Sequence, residues 1–336
     1  MKTNKILLSV LAAAGMLFTA CSNDEPVQLP QDAQAISFRM PGGTPAGIQR
    51  TPGTTIEYVD AFVVYGTDNV FGDALIFDGT TVARDINQIG NIFTYAPTRY
   101  YDLAATSAAF VAFSPASAKI SNVVKTPFLT TGLSFNYTVP APDDSGNAVQ
   151  EDLLVADTTL LAITPTVNLT FKHALARVFV TATNTTKDPV FIDSLILRNL
   201  KTIGTLEFDV PADTWEWTSQ NTSADYAYVL APSGVAVDSM TTNKTLVTSM
   251  EQGMLVLPQK TANMWNNDVF DTGDFALQIN YKFANLGEQK KYILLEENFE
   301  FEAGKQYLIN IDFTGMGIDF TITVKDFDAP IEVDYP

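Results

Sequence analysis

The sequence predicts an all-β chain built as two antiparallel sandwiches in series. Three observations carry this reading. β-Branched and aromatic residues fill short runs that alternate apolar and polar at period two. Gly, Pro, Asn and Asp close those runs at short intervals. No long stretch sustains the apolar period of a helix.

The first twenty residues stand apart from that pattern. Lys2 and Lys5 precede the apolar run Ile6 to Ala14, and small residues lead to Cys21, the one cysteine of the chain. A charged start, a short apolar core and small residues before a cut make a secretory signal, too short to span a bilayer permanently. A cut just before Cys21 resembles a bacterial lipobox, which makes Cys21 the lipidated first residue of the mature protein. Residues 21–53 then read as a tether, a first strand and a loop. Ser22-Asn23-Asp24-Glu25 is an acidic linker, similar to the surface-export signal of some Gram-negative lipoproteins. Ile36, Phe38 and Met40 share one face of a strand, and Pro41 to Gly53 is a Gly/Pro/Thr-rich loop holding one basic residue, Arg50.

Removing residues 1–20 from 336 leaves 316, enough for two ordinary domains with full cores. The removed part carries two of the 20 basic residues and none of the 38 acidic ones, so the remainder balances 18 against 38, or −20. That charge argues against nucleic acid and anionic membranes as partners, since phosphate binding needs clustered Lys and Arg. An exported chain without paired cysteines relies on packing rather than disulfides. No later stretch has eighteen consecutive apolar residues, so a lipid at Cys21 would be the membrane anchor.

The first sandwich is expected over 54–165. Ala61-Phe62-Val63-Val64-Tyr65 reads as a central strand covered on both faces, and Ala74 to Phe77 meets Asp78-Gly79, a hairpin signal. Ala108 to Phe113, the alternating Leu133, Phe135, Tyr137 and Val139, and Asp152 to Ala156 follow as strands. The second sandwich is expected over 166–325. Val167, Leu169, Phe171 and His173 share a face; then the phase slips and Val178 and Val180 carry the apolar side, which calls for a bulge, turn or short helical corner near His173 to Arg177. Strands continue at 194–200, 205–210, 254–257, 275–283, 291–295 and 301–313, with Gly304 at a turn. Near the C-terminus Ile318, Phe320, Ile322 and Val324 form one alternating face. In residues 326–336 a second forms from Phe327, Ala329, Ile331, Val333 and Tyr335. This last strand either completes its own domain or adds to a neighbouring molecule.

Several phrases together resemble the fimbrillin-like family, the type V pilus subunits and related surface lipoproteins of Bacteroides-type anaerobes. They are Val167-Asn-Leu-Thr-Phe-Lys-His173-Ala-Leu-Ala-Arg177-Val, Met254-Leu-Val-Leu-Pro258-Gln259 and Phe301-Glu-Ala-Gly304-Lys305-Gln-Tyr307, preceded by Tyr100-Tyr101, Ala109 to Pro115 and Asp152-Leu153-Leu154. The resemblance implies two transthyretin-like β-sandwiches and an outer-membrane, cell-surface lipoprotein with no enzymatic activity and no cofactor or metal. It further implies that an arginine-specific protease cuts behind the first strand, here between Arg50 and Thr51, with Arg39 the other arginine of the stretch. The C-terminal strand of another fimbrial subunit would fill the groove thus opened, and the polymer would serve adhesion to a host or bacterial surface. The competing class is a monomeric surface lipoprotein that keeps its first strand and binds a glycan or partner protein.

Other chemistry finds little support. His173 is the sole histidine, so a catalytic triad or multi-histidine zinc site would hang on one residue; it reads as a packed junction residue with a hydrogen-bond partner. Asp143 to Asn147 lacks the ligand pattern of an EF-hand and reads as a turn. Trp215 and Trp217 lie two apart on one strand face: an exposed pair would suit sugar stacking, and the reading favours core. Asp157-Thr158-Thr159, Asp193-Ser194-Leu195 and Asp238-Ser239-Met240 resemble a short O-glycosylation sequon, which would require Thr158, Ser194 or Ser239 to be exposed.

Overall fold

A computed structural model describes residues 35–40, 59–85, 93–116, 119–125, 127–140, 150–230, 234–246, 253–260, 275–283, 286–294, 299–315 and 317–326. The expected signal, Cys21, the Arg50–Thr51 site, the Asp143 to Asn147 turn and the alternating 327–335 segment lie outside the described residues.

The described chain is nearly all β. The first part supplies β1 (Ser37–Arg39), β2 (Ala61–Asp68), β3 (Phe77–Arg84), β4 (Phe93–Thr94), β5 (Ala108–Ser114), β6 (Ile120–Val124) and β7 (Leu133–Thr138). One helical turn, α1 (Phe128–Thr131), precedes β7. Next come β8 (Leu154–Leu160), β9 (Thr166–Asn168), β10 (Lys172–His173), β11 (Ala176–Asn184), β12 (Val190–Asp209) and β13 (Thr214–Val229). The remainder is β14 (Val235–Val237), β15 (Thr241–Thr245), β16 (Met254–Val256), β17 (Gln259–Lys260), β18 (Ala276–Phe283), β19 (Gln289–Leu294), β20 (Glu300–Phe301), β21 (Lys305–Thr314) and β22 (Gly317–Asp326).

Three sheets organise the molecule. A six-stranded sheet runs β10-β8-β5-β2-β3-β4, a seven-stranded one β19-β18-β12-β7-β6 with β13 and β14 also on β12, and a five-stranded one β15-β11-β21-β22 with β16 on β11. Pairing is antiparallel except for β1 on β9 and β11 on β21.

Alternation in β2 and β5 shows why these strands are apolar throughout. Phe62, Val64, Phe110 and Ala112 point into a smaller core that also holds Ile36, Phe38 and Met40. Val63, Tyr65, Val111 and Phe113 point the other way, into a large core shared with Phe135, Leu206 and Phe208. The Phe113 and Phe135 rings, 4.7 Å apart, join the six- and seven-stranded sheets. Both faces of the six-stranded sheet are thus covered, as expected for β2, and a run without polar alternation follows.

Pairing crosses the expected division at 165/166 in both directions. β7 lies on β12 from Ile203↔Thr138 to Phe208↔Leu133, whereas β9 and β10 pair with β1 and β8. The phase slip near His173 is the crossing itself. Val167, Leu169 and Phe171 belong to the smaller core, and Ala174, Leu175, Ala176 and Val178 to the large one. A bend at Leu175 between β10 and β11 accomplishes the change.

Asp78-Gly79 is not the hairpin the sequence suggests. β3 runs through it, and the register steps from Val64↔Thr80 to Tyr65↔Asp78, leaving Gly79 as an extra residue at φ 71°. A bulge of this kind needs glycine for the same left-handed backbone as a turn, so the two share a sequence signature.

Candidate functional site

The smaller core holds the alternating N-terminal residues Ile36, Phe38 and Met40. Ile36, Phe38 and Met40 are 2%, 3% and 5% exposed, as buried as any strand interior. Phe38 is the centre of an aromatic cage. Its ring lies 5.8 Å from Phe62, 5.2 Å from Phe77, 5.9 Å from Tyr95 and 5.7 Å from Phe110, each edge-on. Such tilted contacts match ring edges to ring faces and add to the burial of area.

The backbone of β1 is held from two sides. On one, β1 runs parallel to β9, with Ser37↔Thr166, Phe38↔Val167 and Arg39↔Asn168 in register. Ser37 N donates to Pro165 O at 2.8 Å and Leu169 N to Arg39 O at 2.9 Å. On the other side Ala35 bridges Tyr100, and Ile36 N donates to Arg99 O at 3.0 Å. The Tyr95 hydroxyl donates to Ile36 O and accepts from Arg99 N, which ties strand to wall through one side chain. β1 therefore fills a groove whose floor is Phe62, Phe77 and Phe110 and whose walls are β9 and residues 95–101.

The groove is apolar to the point of perturbing its phenols. Burial pushes the Tyr95 and Tyr101 hydroxyls above the ordinary tyrosine range. Tyr101 Oη is buried without a hydrogen-bond partner among the described residues. The arrangement is a groove that seats β1, with main-chain donors and acceptors at its rims and rings at its base.

A sequence model described as fimbrillin-like matches residues 50–326. The chain belongs to the fimbrillin-like family. No curated protein matches it. Among solved structures, this fimbrillin-like chain is similar to a fimbrial protein from Bacteroides vulgatus, with a TM-score of 0.60 at 13% identity over 87% of this chain and 99% of that one. A candidate cell adhesion protein from Bacteroides uniformis gives 0.52 at 18% identity, over 89% and 100%. One from Parabacteroides distasonis gives 0.50 at 10%, over 89% and 98%. At such identities the likeness speaks to the fold. The family makes the chain a fimbrial or adhesin subunit of the cell surface. Among the described residues no helix is long and apolar enough to cross a membrane.

The other expected positions of the fimbrillin-like chain fall into place unevenly. His173 is half-buried at the junction with Nδ1 on Asp152 Oδ2, beside the Trp217 Nε1 bond to Ala174 O at 2.7 Å. Trp215 and Trp217 are both half-buried, packed on the rim of the large core rather than inside it. Ser239 is exposed in the turn before β15. Thr158 and Ser194 are half-buried within β8 and β12, and Ser194 Oγ accepts from Asn280 Nδ2 at 2.7 Å. Ile318, Phe320 and Ile322 of β22 pack against the large core while Val324 is 49% exposed, and β22 is the edge of its sheet among the described residues. No local pattern in the sequence marks the Tyr95 latch. An isolated tyrosine in Phe93-Thr-Tyr-Ala-Pro97 gives no periodic signal, and its partner lies fifty-nine positions away.

Proposed function

We propose that this chain is a fimbrial structural subunit exported as a lipoprotein, in which residues 1–20 address it and Cys21 carries the lipid. Cleavage between Arg50 and Thr51 then removes tether, lipid and β1 together. A strand from another subunit replaces β1, and residues 326–336, with Phe327, Ala329, Ile331, Val333 and Tyr335 on one face, are the donor. The observation that carries this reading is β1 itself: a strand whose apolar face of Ile36, Phe38 and Met40 is buried, held edgewise by only a few residues, and whose link to β2 passes through the arginine-bearing segment 41–58.

The physical logic supports the sequence of events. With β1 gone, the Phe62, Phe77 and Phe110 rings and the backbone groups of Arg99, Pro165 and Leu169 lose their partners, which is unfavourable in water and invites an extended replacement. Main-chain bonds can serve any extended strand, and alternate side chains set the register. The family match, which starts at residue 50 and stops at 326, supports the same division, because strand and donor both fall outside it.

The direct test is genetic. Arg50→Ala is expected to leave the chain monomeric, and deletion of residues 326–336 to leave it able to receive a strand but not to donate one. Normal polymer growth by both variants would refute the proposal. The monomeric alternative, in which β1 is retained, predicts that neither change alters the size of the assembled material.

A further inference from the structure

One end of the six-stranded sheet gathers exposed apolar side chains. The pairings Asp68↔Ala108 and Ala108↔Leu160 put the end of β2, the start of β5 and the end of β8 at the same pole. Val70 and Phe71 follow β2, Leu103 precedes β5 and Leu161 follows β8, and all four are exposed. The buried Asp68 fixes two of their loops from beneath. Its Oδ1 accepts from Val70 N at 2.9 Å and Phe71 N at 2.8 Å, and its Oδ2 from Asp102 N at 2.8 Å. β1 starts at this pole, where Ala35 bridges Tyr100. It runs with β9 towards the opposite end, which carries the Arg84–Asp60 ion pair. Apolar side chains held rigidly in water beside a strand seat mark a contact surface.

We infer that the donated strand enters at this apolar pole and lies parallel to β9, with Ile331 in the place of Ile36, Val333 in that of Phe38 and Tyr335 in that of Met40. This rests on the strand exchange proposed above and adds its direction and register. Phe327 and Ala329, the two donor residues left without a socket, then lie over the pole. The second copy of the chain that supplies them covers Val70, Phe71, Leu103 and Leu161.

Pro330 fixes the register, because it has no N–H to give. In the seat, Ile36 N donates to Arg99 O, Ser37 N donates to Pro165 O, and Arg39 O accepts from Leu169 N. With the apolar face inward, Pro330 takes the place of Ala33, Ala35, Ser37, Arg39 or Pro41. In the place of Ser37 it loses the bond to Pro165 O. In that of Arg39 it brings Ala329 into the Phe38 cage and leaves the cage nearly empty. In that of Pro41 it buries Lys325 where Ile36 was, and in that of Ala33 the chain ends at Pro336 before the Met40 socket. In the place of Ala35 nothing is lost: Ile331 N, Glu332 N and Asp334 O take over the three bonds, and every socket receives an apolar side chain.

Disulfide trapping reads this register directly. Ser37 Oγ lies 3.1 Å from Thr166 Oγ1, so opposed positions on these strands are within disulfide reach. Thr166 and Asn168 are both exposed. Cys21, the one cysteine of the chain, leaves with the residues before Thr51, so sheared polymer holds only the cysteines introduced. Thr166→Cys with Glu332→Cys, and Asn168→Cys with Asp334→Cys, should each give covalent ladders of subunits on mild oxidation. Polymer lacking either ladder, or linked instead through Thr166→Cys with Asp334→Cys or Asn168→Cys with Glu332→Cys, would overturn the register. Phe71→Ser combined with Leu161→Ser should slow polymer growth severalfold with the melting temperature unchanged, and unaltered growth would overturn docking at this pole. Polymer that still grows after deletion of residues 326–336 would instead refute the exchange itself.

Discussion

Phe38→Ala tests how β1 is held. Burying Ile36, Phe38 and Met40 contributes about 4.5–9 kcal/mol in total at 1.5–3 per large apolar side chain. The main-chain bonds to Arg99 O and Pro165 O and from Leu169 N add about 1.5–4.5 kcal/mol. Against this, ordering the backbone of residues 35–40 costs about 6–12 kcal/mol. The terms nearly cancel, so β1 is a marginally held strand that depends on its tether. Truncating Phe38 removes the ring at the centre of four aromatic contacts and costs about 3–5 kcal/mol. That is roughly two to three and a half orders of magnitude in occupancy.

The assay is limited trypsinolysis in an Arg50→Ala background, where Arg39 is the remaining basic residue between Cys21 and Tyr58. Arg39 has an exposed side chain, but its backbone is paired with Asn168 and accepts from Leu169 N. It should resist cleavage while β1 is seated and be cut severalfold faster in Phe38→Ala, at the rate of a fully open strand. Equal cleavage rates in the two proteins would refute the idea that the aromatic cage retains the strand.

Further predictions address the surroundings of the groove and the cores. Tyr95→Phe deletes the hydroxyl tie to Ile36 O, costs about 1 kcal/mol, and should speed amide exchange in residues 35–40 about fivefold, measured by mass spectrometry. Asp157 is raised above the ordinary carboxylate range, first by burial and then by the Asp213 charge, with Lys172 opposing. A raised folded-state value means that the folded chain holds the proton more tightly. Its contribution is therefore present below the unfolded value near 4 and lost as pH rises through the folded one. Asp157→Asn should accordingly raise the melting temperature at pH 7 and have little effect at pH 3.5; a larger gain at the lower pH would contradict this. Gly132→Ala forces a side chain into a left-handed backbone and into Phe208 O, and should cost at least about 2 kcal/mol by denaturant titration.

Much of the fold could be read from the chain because apolar alternation is local. The burial of Ile36, Phe38 and Met40 and the double-sided burial of β2 follow from spacing alone. So does the slip at His173, although spacing does not say that the two phases serve two different cores. Longer-range pairing was not legible. The expected separate strands at 194–200 and 205–210 are parts of one twenty-residue strand, β12, whose register shifts between Leu197 and Leu200 and again between Gly204 and Leu206. Asn199 at φ 58° and the glycine at 204 break the period without ending the strand, and in sequence a bulge looks like a boundary. The partnership of β7 with β12 spans about seventy positions and depends on which sheet edges are left open, which no local pattern encodes. Trp215 and Trp217 share a strand face by spacing alone, but their half-buried place on the rim of the large core depends on distant partners such as Ala174 O, which accepts from Trp217 Nε1.

The most direct measurement is the N-terminus of protein sheared from intact cells and separated by size. High-mass material is expected to begin at Thr51. Polymer beginning at lipidated Cys21, with β1 still attached, would contradict it.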